Sequence, residues 1–276
     1  MSCPEEKQAM RCRPGAPAGH ERRSSRRWQA LSLAVIALAA CGAPKAAPLT
    51  IVTDDLTDLP LRGSSPAQRD RFAEGDAQFD EVYRAPDGLG PVFIRAQCSG
   101  CHQGAARGPG FVTKMAQSQA DGGQSELFYG HTERPRSVNG ATPLLAPRST
   151  QVVVSQRSSP AVFGRGYLEA IADSEIEALE AAQRAAGQVS GRINRVTYAS
   201  QFNAETAFHR HQPGDSNVIG RFGLKARIAT LDDFSADALQ GDMGLTSPLR
   251  PTELANPDGV LDDDKLGVDV PLAVVN

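Results

Sequence analysis

Cys98-Ser99-Gly100-Cys101-His102 is the stretch from which the rest of this chain is read. Two thiols separated by two residues can each add to a vinyl group of a haem, and the imidazole directly after them then lies under the macrocycle as an iron ligand. The run predicts covalent attachment of haem c through Cys98 and Cys101, with His102 as the proximal ligand of the iron. Such a site works with electrons, peroxide or oxygen. Other uses of paired cysteines fit less well. A thioredoxin-type pair opens a helix after a strand, whereas Asp87-Gly88-Leu89-Gly90-Pro91-Val92-Phe93 just upstream reads as a loop. A zinc knuckle needs further ligands close by, and the next histidine is His131.

Toward the N-terminus, residues 1–40 read as a targeting segment. Arg22, Arg23, Arg26 and Arg27 precede an apolar run from Leu31 to Ala40, too short for a spanning helix of about 20 residues. Leu38-Ala39-Ala40-Cys41-Gly42 resembles a bacterial lipobox, in which Cys41 is acylated and becomes the first residue of the mature chain. This predicts an exported protein, lipid-anchored at the periplasmic face of a bacterial membrane. An ordinary secretory signal followed by an incidental cysteine is the alternative. The Arg26-Arg27 pair faintly suggests a twin-arginine signal, but attachment of a c-type haem to an unfolded exported chain argues against it.

Residues 1–40 hold seven of the 29 basic and three of the 32 acidic residues, so the remainder carries 22 basic and 29 acidic groups, a net charge of −7. Nucleic acid is excluded as a partner on that balance. Of the five cysteines, Cys41 is assigned to lipid and Cys98 and Cys101 to haem, so no pair is left for a structural disulfide in the mature chain.

Residues 41–64 read as a flexible tether rich in Ala, Pro, Thr and Asp, and residues 65–276 as one mono-haem domain. Ser65-Pro66 reads as N-cap and first helical position, with Phe72, Phe79 and Val82 near one face of a helix that packs beside the haem loop. From His102 to about residue 160 the composition predicts mostly loop, with Val152-Val153-Val154 the one strand-like run. Ser174-Glu175-Ile176-Glu177 has the form of a capping box opening a core helix that ends at Gly187. Thr230 caps a last helix running to Met243 and stopped by Gly244. A mean hydropathy of −0.33 and 40% apolar residues suit a soluble domain.

Several pieces, in this order, resemble the di-haem oxidoreductase family, described as peroxidases or thiol oxidoreductases and related to bacterial cytochrome c peroxidases. They are Gly88–Phe93, Gly108-Pro109-Gly110, the run Arg157 to Ile171, Gly191–Val196, Gly220-Arg221-Phe222-Gly223-Leu224-Lys225-Ala226 and Asp242–Ser247, within about residues 68–276. The helical segments point to a mainly α fold; the resemblance implies a cytochrome c-like haem domain with long Gly/Pro-rich loops and few short strands. Proteins of that family look like two such domains, each with its own C-x-x-C-H. This chain has one such motif, so the second haem domain is expected to be missing. The implied function is electron transfer, as part of or derived from a di-haem oxidoreductase. The alternative is a haem peroxidase or thiol oxidoreductase whose iron is open or weakly ligated. A redox protein or a quinol-linked donor would supply the electrons.

The sixth position of the iron separates those functions. Met243 is the thioether candidate, against the equal reading that it fills the core; His131, His209 and His211 are imidazole candidates, and Met115 reads as local packing. Arg107, Arg157, Arg192 and Arg221 are candidates for pairing with haem propionates, Arg221 preferred because its flanking glycines allow close approach. Glu169 is a weak acid/base candidate.

Overall fold

The computed structural model describes residues 59–105, 108, 110–205, 211–262 and 266–276. Residues 1–40, Cys41, most of the 41–64 tether, Arg107 and His209 lie outside them. Helix accounts for 27% and strand for 17% of the structure, so the mainly α, cytochrome c-like expectation is corrected: irregular chain predominates, with several small sheets and about five helices.

Helix α1 spans Pro66–Asp80 and begins where the sequence places it. The Ser65 hydroxyl accepts from the Gln68 N–H at 3.3 Å, and the Ser65 N–H donates to Gln68 Oε1 at 2.9 Å, a reciprocal cap with proline at the first helical position. Only Phe72 and Phe79, two turns apart, are even half-buried. The short strands β1 (Val92–Phe93) and β4 (Arg136–Ser137) pair antiparallel.

The largest departure from the sequence reading lies between them and beyond. Strand β2 (Phe111–Ser118) pairs antiparallel with β5 (Val152–Ser158), from Phe111 opposite Ser158 to Gln117 opposite Val152, and β3 (Gln124–Ser125) adds to its other edge. Of β2 only Met115 is buried, while Val153 and Val154 of β5 face solvent. The sheet is held by its backbone ladder and lacks the alternating apolar face that reveals a strand in sequence.

Helix α2 (Arg165–Glu169) leads into α3 (Asp173–Ala186), which starts one residue before Ser174. Its N-cap is Ala172 without a side-chain bond, so the Ser174–Glu177 capping box is not formed; Gly187, at φ 65°, does close the other end. No residue of α3 is buried, which corrects its assignment to the core. After the β6–β7 pair (Arg195–Val196, Val218–Ile219), α4 (Leu231–Ala238) follows Thr230 and continues as a π-helical turn, Leu239–Met243, that Gly244 stops. A four-residue helix, α5 (Leu272–Val275), comes last. Among the described residues, no helix is long and apolar enough to cross a membrane.

Strand β1 joins two cores because successive side chains of a strand point to opposite faces. Val92 packs with Met115, Ala141 and Leu144. Phe93 packs with Tyr83, Leu89, Leu239, Met243, Leu245 and Leu249, and half-buried Cys98 lies against this second cluster. The Gly90 N–H donates to the Met243 carbonyl at 3.0 Å. A Cβ on Gly244 would sit 2.0 Å from the Gly90 carbonyl oxygen, so a side chain there would force the two segments apart.

Candidate functional site

The Cys98–His102 run is a tight turn in which the Cys101 and His102 N–H groups both donate to the Cys98 carbonyl at 3.0 Å. It is fastened on two sides. On one, the Ser99 N–H donates to the Phe79 carbonyl at the end of α1, and the Phe79 and His102 rings lie 6.1 Å apart. On the other, the Cys101 carbonyl accepts from the Gly110 N–H at 3.2 Å and the Ser159 hydroxyl at 2.6 Å. Gly110 approaches so closely that a Cβ on it would meet the Cys101 Cα at 2.5 Å.

His102 Nδ1 lies 2.7 Å from the Pro160 carbonyl oxygen. A carbonyl only accepts, so Nδ1 carries the proton, and the neutral ring then has its lone pair on Nε2. An N–H held this way orients a ligating imidazole and raises its basicity. Ser159 and Pro160 were not singled out individually in the sequence. The available signal was their place inside the Arg157–Ile171 run.

Cys98 and Cys101 are free thiols. Burial pushes the Cys98 thiol up to about 11, with the negative charges of Cys101, Asp242 and Asp80 adding to it. Burial also pushes Cys101 up, against the pull of Arg95 and Arg136. Protonated thiols at neutral pH are the opposite of the thiolate that a C-x-x-C redox pair needs for attack. Two reduced thiols a turn apart, an imidazole with its tautomer set, and an apolar cluster against Cys98 fit a covalently held haem.

Met243 is 4% exposed and belongs to the cluster that Cys98 packs against, so it fills the core beside the attachment turn. The other candidates have partners of their own. Arg221 donates to the Leu168 carbonyl at 2.9 Å and to Asp173 at 2.5 Å, tying α2 to α3. Arg192 donates to the Ser190 and Gly191 carbonyls, and Arg157 lies in β5 opposite Val112. His131 Nδ1 is 3.1 Å from Glu126; His211 lies beside Tyr198, 3.8 Å from Asp215. Glu169 accepts the Leu231 N–H at the start of α4. Sequence reading also missed Lys114, whose ammonium is pulled down by burial and lies 4.0 Å from Asp242, the residue before Met243.

Residues 129–264 match the family described as di-haem oxidoreductase, putative peroxidase. The match is narrower than the resemblance read from the sequence and begins after the attachment turn. The motif at residues 98–102 and the family match are therefore separate lines of argument for a haem-linked redox role. The fold joins them, because Ser159 and Pro160 within the matched stretch grip Cys101 and His102 outside it. No curated protein and no solved structure matches the chain.

Proposed function

We propose that this chain is a c-type haem protein that transfers electrons as part of a di-haem oxidoreductase system. The observation that carries the reading is the His102 Nδ1–Pro160 contact at 2.7 Å, made beside two reduced cysteines on the same turn. Cys98 and Cys101 would hold the haem through thioethers, and His102 would ligate its iron through Nε2. When bound, the haem supplies one-electron chemistry at the iron. The chain's part is to orient the imidazole through Pro160, to brace the turn through Ser159 and Gly110, and to keep water from one side with the Phe93–Met243 cluster.

The test is expression with export and a haem maturation system, followed by denaturing electrophoresis stained for haem. Haem that stays with the wild-type chain and is lost from a Cys98→Ala/Cys101→Ala double variant is the expected result. Haem that leaves the wild type on denaturation overturns covalent attachment.

The family description favours a second reading, a peroxidase with an open or weakly ligated iron. A high-spin ferric spectrum that responds to peroxide would establish it; a low-spin spectrum indifferent to peroxide would remove it. Acylation of Cys41 and anchoring at the periplasmic face belong to the same proposal, and loss of membrane association in Cys41→Ser is the expected outcome.

A further inference from the structure

Strand β2 sets Lys114 apart from its neighbour Met115. Met115 is buried with Val92, and successive residues of a strand face opposite ways, so Lys114 faces the other side of the sheet. Its side chain is 16% exposed there. On β5, Arg157 stands opposite Val112, which makes Arg157 and Lys114 diagonal neighbours on one face. The sheet is anchored at the Cys98–His102 turn, because Gly110 and Ser159 both donate to the Cys101 carbonyl. From Gly110, Lys114 lies four residues along the chain, about 13 Å of extended backbone.

An ammonium carries three donors. Lys114 donates to the Thr132 hydroxyl at 2.5 Å, while the Asp242 carboxylate stands 4.0 Å away, past hydrogen-bond reach. The charges acting on Lys114 are Asp242, Arg227, Asp237 and Arg157. Arg227 is already bonded to Asp237, which Arg250 also reaches. Among the described residues no carboxylate lies within ion-pair distance of Arg157. Three cations against two carboxylates leave one positive charge unmatched, and a charge withdrawn from water is costly unless it is paired. Asp242 also acts on the thiols of Cys98 and Cys101, so the same carboxylate stands near both the turn and Lys114.

We propose that Lys114 and Arg157 form a carboxylate-binding site whose occupant is a propionate of the haem held at Cys98, Cys101 and His102. The inference rests on the haem reading above and names the cations that receive the acidic edge of the group. Propionates leave a haem on the edge opposite its vinyl groups, so with thioethers at the turn their cations belong away from it, along the sheet. A propionate brings the one negative charge that is lacking. It accepts hydrogen bonds from an ammonium otherwise bonded only to a neutral hydroxyl, and from a guanidinium with no carboxylate beside it. Arg221, preferred from the sequence, is already bonded to Asp173 and to the Leu168 carbonyl.

The experiment compares the haem-loaded full chain with Lys114→Met, Arg157→Gln and, as a control in an exposed loop, Arg148→Gln. The first readout is the propionate bending band of the resonance Raman spectrum, which moves when the carboxylate loses a hydrogen bond. It is expected to move in Lys114→Met, to move less in Arg157→Gln and to stay in Arg148→Gln. The second is the ferric–ferrous equilibrium, expected to shift toward ferric by about tenfold in Lys114→Met, because an unpaired propionate near the iron favours its higher charge. An unmoved band in Lys114→Met overturns the proposal; where that variant takes up no haem, an unmoved band in Arg157→Gln does so. Sodium propionate added to the loaded protein is expected to leave its thermal midpoint unchanged. A rise that Lys114→Met lacks would put a free carboxylate in the site and overturn the haem as its source. A wild-type chain without covalent haem counts against the haem reading instead. The same titration of that chain then decides the site: a rise that depends on Lys114 supports carboxylate binding, and no rise overturns it.

Discussion

Helices α1 and α3 are nearly the same length, both are rich in acidic residues, and neither buries a side chain, yet they keep their charges in opposite ways. Along α3, Asp173 meets Arg221, Glu177 meets Arg195 at 2.7 Å, and Glu180 meets Arg184 at 3.3 Å. Two of those arginines come from beyond the helix, so the pairs tie α3 to the chain around it. Along α1 no such cation arrives from among the described residues. The difference teaches that an acidic helix in this molecule is a strut where arginine reaches it and an open charged face where none does. The same rule extends inward, to Asp233, 1% exposed, which Arg250 meets at 2.7 Å while also reaching Asp237 at 3.5 Å.

The buried end of that contrast should break hardest. Arg250→Ala strands the Asp233 carboxylate in the interior and is expected to cost about 3–5 kcal/mol in urea unfolding. A loss no larger than that of a surface pair would mean that Ser200, which also donates to Asp233, suffices alone.

Next comes the turn against which α1 leans, read in the haem-free protein. The Cys98 thiol has an ordinary value of 9.0 and is raised to about 11 in the fold. Below pH 9 it is protonated in both states and its contribution is complete. Between pH 9 and about 11 the unfolded chain gives up the proton first, so stability falls as pH rises, by up to about 2–3 kcal/mol. Urea midpoints across that window should decline in the wild type and decline less in Cys98→Ala; parallel curves would remove burial of Cys98 as the cause.

Arg221→Ala removes both the Asp173 pair and the Leu168 carbonyl bond, for an expected loss of about 1–2 kcal/mol. Hydrogen exchange should locate the weakening in α2 and α3 and leave α1 unchanged. The smallest effect has the opposite sign: Glu74→Gln, by relieving the Asp70 repulsion, should raise thermal stability slightly at low salt, by no more than about 0.5 kcal/mol, and the gain should vanish near 1 M salt. A loss at low salt would show that Glu74 has a favourable partner and weaken the contrast between the helices.

Both ends of the comparison also mark what could be read in advance. Ser65-Pro66 and Gly187 act through bonds a few residues long, and the structure keeps both. The stop at Gly244 survives for the same reason, whereas Thr230 precedes α4 without a side-chain cap bond and the Leu231 N–H is met by Glu169 from 62 positions away. Ser174 did not become a cap, because the helix begins at Asp173 and takes Ser174 into its first turn. The mainly α expectation failed where partners are distant in sequence: Phe111 pairs with Ser158 across 47 positions, and neither strand shows an alternating apolar face. Arg221 sits between glycines that suggested approach to a macrocycle, yet its guanidinium reaches the Leu168 carbonyl and Asp173, groups far away in sequence.

By itself the sequence placed two thiols and an imidazole together at Cys98, Cys101 and His102, the set on which the proposed haem attachment rests. It also determined the helix ends that local bonds can close. Only the tertiary structure decided that Pro160 sets the His102 tautomer, that Met243 and Cys98 share one core, and that Arg221 reaches Asp173 of α3 while, among the described residues, no cation pairs with a carboxylate of α1. Each of these depends on chain segments dozens or more residues apart. Their meeting follows from how the whole backbone satisfies its hydrogen bonds and buries its apolar surface, which no short window of residues records.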